Sequence, residues 1–119
     1  MTEYLIAFND EWVPELTEED QAEASVRVRA LRAEMVAAGV LIYTNGLDET
    51  APAFSVDASS GMPVFTDGPF VESKEHLGGF ALVSVDDEDA ARLWAGKVAV
   101  ACGWPQEVRR FRSPGVVGS

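Results

Sequence analysis

The stretch that organises this chain is residues 64–80, which reads Val64-Phe65-Thr66-Asp67-Gly68-Pro69-Phe70-Val71-Glu72-Ser73-Lys74-Glu75-His76-Leu77-Gly78-Gly79-Phe80. It contains the densest cluster of turn residues in the chain, several charged side chains and the single histidine. Asp67-Gly68-Pro69 predicts a turn, because Asp accepts backbone N–H bonds, Gly permits positive φ and Pro fixes φ. Residues 63–66 predict a short strand before this turn, and residues 80–85 predict the clearest strand of the chain after it.

The same stretch supplies the candidate site. A carboxylate near an ammonium group and shielded from water can transfer a proton or polarise a carbonyl group, so Asp67 and Lys74 are the first candidates. Turn chemistry explains most of these residues, so a structural turn is the first interpretation and a pocket wall the second. No residue is assigned a catalytic role. The candidate ligand-binding residues are Asp67, Gly68, Pro69, Phe70, Glu72, Lys74, Glu75, Gly78, Gly79 and Arg109.

Length and composition limit the class of protein. The 119 residues predict one domain over residues 1–113 with a flexible tail over residues 114–119. One cysteine cannot form an intramolecular disulfide, which suits a reducing cytoplasm, and neither a signal segment nor a membrane-spanning apolar run is predicted. The net charge of −11 disfavours binding to nucleic acid or to anionic lipid.

The first half of the chain predicts a strand, a helix and a second strand. Residues 3–8 are apolar on both faces, so this strand is expected to be central in a sheet and covered on both sides. Thr17 is expected to cap a helix that ends at Gly39. Its predicted buried stripe is Ala24, Val28, Leu31, Met35 and Ala38. The nearby arginines Arg27, Arg29 and Arg32 are expected to pair with acidic neighbours such as Glu23 and Glu34.

The second half repeats this order after an insertion. Residues 40–44 predict a strand that ends at an Asn45-Gly46 turn, and residues 53–56 and 63–66 predict an inserted hairpin. The four acids of residues 86–89 are interpreted as a helix start and not as a metal site. This helix is expected to end at Gly103, with a possible bend or break at Gly96. Residues 107–112 predict an edge strand protected by arginines.

These elements give an α+β fold, a ferredoxin-like βαββαβ arrangement with an inserted β-hairpin. Two helices cover only one face of such a sheet, whereas the strands are apolar on both faces. The second face is therefore expected to meet the sheet of a second copy, which predicts a homodimer. A cavity between the sheet and the central loop is the expected ligand site.

The run Thr66-Asp67-Gly68-Pro69-Phe70, followed by Glu72, Lys74-Glu75 and Leu77-Gly78-Gly79-Phe80, resembles the DGPF branch of the YCII-related proteins. The resemblance extends over most of the chain and implies a small bacterial protein that forms a dimeric α/β barrel. Arg109 matches the pattern of the family's final strand. The broader family is thought to use a His–Asp pair with the histidine near the first helix, where this chain has none. His76 stands where the related sequences have Gln, so we interpret it as a surface residue.

Three functions remain open. The chain is first interpreted as a homodimer that binds a small molecule. The second possibility is a cofactor-independent enzyme in which Asp67 and Lys74 transfer a proton. The third is a protein-interaction or regulatory module, which the resemblance links to sigma-factor signalling. No cofactor or metal is expected, since phosphate-loop, Cys/His metal-spacing and nucleophile-elbow motifs are not found in the sequence. Cys102 is interpreted as a packing residue.

Overall fold

The computed structural model describes residues 1–68 and 76–112. It contains six strands, two helices and a short 3-10 turn over Asp10–Trp12. In chain order the elements are β1 (Thr2–Asn9), α1 (Glu18–Ala37), β2 (Leu41–Gly46), β3 (Phe54–Asp57), β4 (Val64–Asp67), β5 (Leu77–Val85), α2 (Glu88–Cys102) and β6 (Glu107–Arg110). The fold is therefore mixed α+β, as predicted.

Four of the strands form one antiparallel sheet in the order β2-β5-β1-β6. β1 lies between β5 and β6, so the predicted central position of the first strand is confirmed, and β6 is the predicted edge strand. Over the ranges that the structure describes, this sheet stays open and does not close into a barrel. A closed barrel would thus require strands from outside this sheet.

The two helices lie on one face of the sheet and contact each other there, and the core lies at this face. The alternation of β1 and β5 directs Tyr4, Ile6, Val83 and Val85 toward this face. The two helices contribute Met35, Ala91, Trp94 and Ala95 to the same cluster. The other face carries Leu5, Ala7, Phe80 and Leu82 and is covered by neither α1 nor α2.

The helix ends lie where the local chemistry predicts them. Thr17 caps α1 through a capping box, in which its Oγ1 accepts the Asp20 N–H at 3.0 Å and the Asp20 carboxylate accepts the Thr17 N–H. Asp87 caps α2, and its carboxylate accepts the Ala90 N–H at 2.8 Å. Gly39 and Gly103 follow the helices with φ of 71° and 95°. α2 continues through Gly96 without a break.

The pairing of β2 with β5 corrects one prediction. Asn45 and Gly46, predicted as a turn, are the last residues of β2 and pair with Phe80 and Gly79. β5 also begins earlier than predicted, at Leu77. The physical reason is the two facing glycines, because the absence of side chains allows the two backbones to continue their pairing here.

The predicted buried stripe of α1 is only partly buried. Ala24 and Met35 are buried, whereas Leu31 is half-buried, Val28 is 40% exposed and Ala38 lies exposed at the helix end. The reason is that α1 packs mainly on α2 and only lightly on β2, so a space remains between α1 and the sheet. Helical spacing correctly predicts the face that turns inward but not how far the helix is from the sheet.

β3 and β4 form a separate two-stranded sheet, the predicted inserted hairpin, shifted by one residue. Its register places Phe54, Val56 and Phe65 on one face, and all three side chains are exposed. Phe54 and Phe65 contact each other with ring centroids 6.2 Å apart. The hairpin therefore presents an apolar face that the rest of the described chain does not cover.

Within residues 1–68 and 76–112, neither helix is long and apolar enough to cross a membrane. The predicted C-terminal tail over residues 114–119 lies outside the described residues.

Candidate functional site

A cavity lies between α1 and the main sheet. We call it the α1 cleft; its volume is about 610 Å³ and it is partly open to solvent. Its floor is apolar and is contributed by β1, α1, β5, α2 and the segment after α2. The floor residues are Phe8, Leu31, Met35, Ala81, Val98 and Trp104. A cavity of this size, roughly within the 300–1,000 Å³ typical of ligand sites, can hold a small organic molecule.

One side of the α1 cleft is polar because α1 turns a second row of side chains toward it. Gln21, Ser25, Arg29 and Arg32 follow one another at spacings of three and four residues, so they lie along one side of the helix. Thr44 and Asn45, at the end of β2, lie on the sheet side. The cleft thus combines an apolar floor with a rim that contains two guanidinium groups.

The three arginines of α1 do not form the predicted pairs with Glu23 and Glu34 among the described residues. Arg27 instead donates from Nε to the carbonyl oxygen of Ala101, 3.1 Å away, and joins α1 to the end of α2. Glu34 forms an ion pair with Lys97 of α2. The helix–helix contact therefore uses Arg27 and Glu34, and leaves Arg29 and Arg32 at the cleft.

Two residues near the end of α2, Cys102 and Trp104, line the α1 cleft. The ring of Trp104 meets the ring of Phe8 edge-on with centroids 5.4 Å apart. The Trp104 indole N–H is buried and has no acceptor in the part of the chain that the structure describes. Burial raises the pKa of the Cys102 thiol, against the smaller lowering effect of the Arg27 charge. Cys102 is therefore kept protonated at neutral pH, which agrees with a packing residue.

The Asp67 loop, the predicted site, is only partly described. Asp67 is exposed at the end of β4 and lines neither described cavity. Gly68 has a φ of 88°, as its turn role requires, and its N–H donates to the Ala53 carbonyl at 2.8 Å. Ser55 Oγ also donates to the Gly68 carbonyl, at 2.6 Å. The candidates Pro69, Phe70, Glu72, Lys74 and Glu75 lie outside the described residues, so an Asp67–Lys74 contact stays a prediction.

Gly78 and Gly79 allow neighbouring side chains and backbone to pack closely against the start of β5. Gly78 is the extra residue of a β-bulge between the pairs Phe8–Gly79 and Asn9–Leu77. A side chain at Gly78 would collide with the Phe8 ring and the Asp10 carboxylate. At Gly79 it would meet the Phe8 ring and the backbone of β2. The close approach that the paired glycines predict is therefore made by the protein's own chain.

The remaining candidates lie on the surface. Arg109 is exposed on β6, and its Nε lies 2.7 Å from an oxygen of Glu107 on the same strand. Together they border a smaller depression of about 220 Å³ beside Leu5, Ala7 and Trp12. His76 is exposed, with Nε2 4.0 Å from the nearer carboxylate oxygen of Glu11. The position of His76 agrees with a surface role, whereas ligand binding by Arg109 stays a prediction.

Three residues of α1 that line the cleft have another interpretation from the sequence alone. Helical spacing predicts Val28 in a buried stripe, and Arg29 and Arg32 in ion pairs on the helix surface. The available signal was the presence of three arginines close together in a chain that has 9 basic and 20 acidic residues.

Fold and cavity together define a small α+β protein with a four-stranded antiparallel sheet, two helices on one face and an open cleft beneath α1. The family model for the YCII-related domain matches residues 4–103, and the chain belongs to this family. It is also similar to an uncharacterised protein of Rhizobium meliloti (strain 1021), with 33% identity over 88 residues that cover 73% of this chain and 71% of the relative.

Proposed function

We propose that this YCII-family protein binds a small organic molecule in the α1 cleft. The observation that carries the proposal is the cleft itself, with a volume of about 610 Å³, an apolar floor and a polar rim. Most ligand pockets combine an apolar lining with a few polar groups that fix the ligand's orientation. The α1 cleft has this composition, whereas the described part of the Asp67 loop lies on the exposed β3–β4 hairpin.

A cleft-filling substitution tests this proposal. Val28 lines the α1 cleft, so Val28→Trp should occupy it, whereas Val26→Trp places the same side chain on α1 away from the cleft, at a valine that is 65% exposed. Wild type and both variants are screened against a metabolite library by thermal shift. A ligand at about 100 times its Kd should stabilise wild type and Val26→Trp by about 2.7 kcal/mol, and Val28→Trp much less.

The same screen includes Asp67→Ala, because the Asp67 loop is the alternative location of the site. A compound that stabilises Val28→Trp as well as wild type, but not Asp67→Ala, would move the binding site from the cleft to the loop. A compound that stabilises all the variants equally would exclude both locations.

We further propose that two copies associate through the helix-free face of the sheet. The strand order β2-β5-β1-β6 agrees with the ferredoxin-like βαββαβ arrangement, and the DGPF-type sequence from Thr66 to Phe80 supports the same branch of the family. The helix-free face carries Leu5, Ala7, Phe80, Leu82 and Tyr43. A second copy related by twofold symmetry would cover this surface with the same residues and complete the barrel.

A second candidate function, a protein-interaction module, is favoured by the exposed apolar face of the hairpin. Phe54 and Phe65 are 71% and 66% exposed, and an isolated two-stranded hairpin is only marginally stable in water. Sedimentation of Leu82→Asp and Phe65→Ser distinguishes the two surfaces. A sheet-face dimer predicts that Leu82→Asp is monomeric and Phe65→Ser dimeric, and the reverse result would place the contact on the hairpin.

Catalysis by Asp67 and Lys74 is the weaker alternative. The described end of this pair, Asp67, is in contact with solvent, whereas proton transfer of this kind depends on a site shielded from water. A proton-transfer enzyme would show a turnover whose pH dependence is abolished in Asp67→Asn.

A further inference from the structure

We propose that the α1 cleft takes an organic anion with an apolar body, and that Arg29 and Arg32 bind its anionic group. This inference rests on the proposed function of the cleft and adds the chemical class of its ligand. It is carried by three observations: the charge of the rim, the arrangement of the two guanidinium groups, and the character of the floor.

The charge of the rim is opposite to that of the protein. The chain has 20 acidic and 9 basic residues and a net charge of −11. Yet the described lining of the α1 cleft contains Arg29 and Arg32 and no aspartate or glutamate. An anion is repelled by most of this surface, and the cleft provides a local positive region.

The two guanidinium groups are arranged to act together. Arg29 and Arg32 are three residues apart on α1, so they are neighbours on the helix surface. Among the described residues, neither has a carboxylate within 4.0 Å, whereas Arg92, Arg109 and Lys97 each form an ion pair. A guanidinium group binds a carboxylate or phosphate through two parallel hydrogen bonds. Ser25, four residues before Arg29, adds a hydroxyl group to the same rim.

The apolar floor of the α1 cleft indicates what kind of body the ligand carries next to its anionic group. Phe8, Met35 and Trp104 provide an apolar surface that an inorganic anion would leave uncovered. The cleft therefore fits a molecule that carries an aromatic or aliphatic body next to its anionic group.

Two fluorescent probes that share an aromatic body test the inference. The first is the anion 1-anilinonaphthalene-8-sulfonate, and the second is its neutral analogue N-phenyl-1-naphthylamine. Both are titrated into wild type, the double variant Arg29→Gln/Arg32→Gln, the cleft-filling variant Val28→Trp, and Arg92→Gln. Arg92 is an exposed helical arginine that does not line the cleft, so Arg92→Gln is the control for loss of positive charge.

The double variant should bind the anionic probe roughly tenfold more weakly, as expected for the loss of hydrogen bonds to a charged group at a partly exposed site. It should bind the neutral probe as wild type does, which also shows that the cleft is still folded. Arg92→Gln should bind both probes normally, and Val28→Trp should lose both.

Two results would overturn the inference, and they have different meanings. If the double variant binds the anionic probe as tightly as wild type while Val28→Trp loses both probes, the cleft is a binding site but its arginines do not select anions. If Val28→Trp binds both probes normally, the cleft is not the site, and both the proposed function and this inference fail.

Discussion

Gly79→Ala should destabilise the fold strongly, because this glycine lies where three chain segments meet. A Cβ atom at Gly79 would lie 2.9 Å from the Phe8 ring, 3.0 Å from the Gly46 Cα and 3.1 Å from the Asn45 carbonyl oxygen. Favourable carbon–carbon contacts are about 3.5–4.0 Å, so each neighbour must move. Two of the three are backbone atoms of β2, which are held by the sheet. The expected loss in the free energy of unfolding is about 2 kcal/mol.

The assay is equilibrium unfolding in urea, followed by circular dichroism. With a slope of about 1.5 kcal/mol/M, a loss of about 2 kcal/mol lowers the midpoint by roughly 1.3 M. Gly96→Ala is the matched control, because the same methyl group at Gly96 of α2 meets no atom within 4 Å apart from its chain neighbours and the adjacent backbone of its own helix. There alanine should stabilise the helix by up to about 1 kcal/mol. An unchanged or raised midpoint for Gly79→Ala would refute the packing argument and leave Gly79 open to a role in ligand binding.

Two further predictions concern Cys102 and Thr17. Because burial raises the pKa of the Cys102 thiol, a thiolate-selective reagent should label the folded protein more slowly than the unfolded protein near pH 8. The stabilisation that follows from the raised thiol pKa should be complete below the pKa of an unfolded thiol, and it should be lost as the pH rises through the pKa of the thiol in the folded protein. Labelling of the folded and unfolded protein at equal rates would contradict the prediction. Thr17→Ala removes the side-chain half of the α1 capping box and should cost about 1 kcal/mol in urea unfolding, whereas Thr17→Ser should retain most of it; equal stability of the two variants would contradict the cap.

Several elements could be predicted from the sequence because short-range chemistry determines them. Thr17 and Asp87 begin helices by accepting nearby backbone N–H groups, and Gly39 and Gly103 end them with positive φ. The central position of β1 followed from a strand that is apolar on both faces. The local sequence at Asn45 and Gly46 predicts a turn, because the pairing of Gly46 with β5 depends on Gly79, which is 33 residues further along the chain.

The sequence by itself determined the α+β class, the order of the elements and the family, since periodicity, capping residues and a long motif are all local features of the chain. Only the tertiary structure decided where a cavity opens. Val28, Arg29 and Arg32 have the spacing of an ordinary amphipathic helix, and whether they meet a core or a cleft depends on the distance between α1 and the sheet. The position of α1 depends on contacts distant in sequence, among them Arg27 with Ala101 and Glu34 with Lys97, which join α1 to α2.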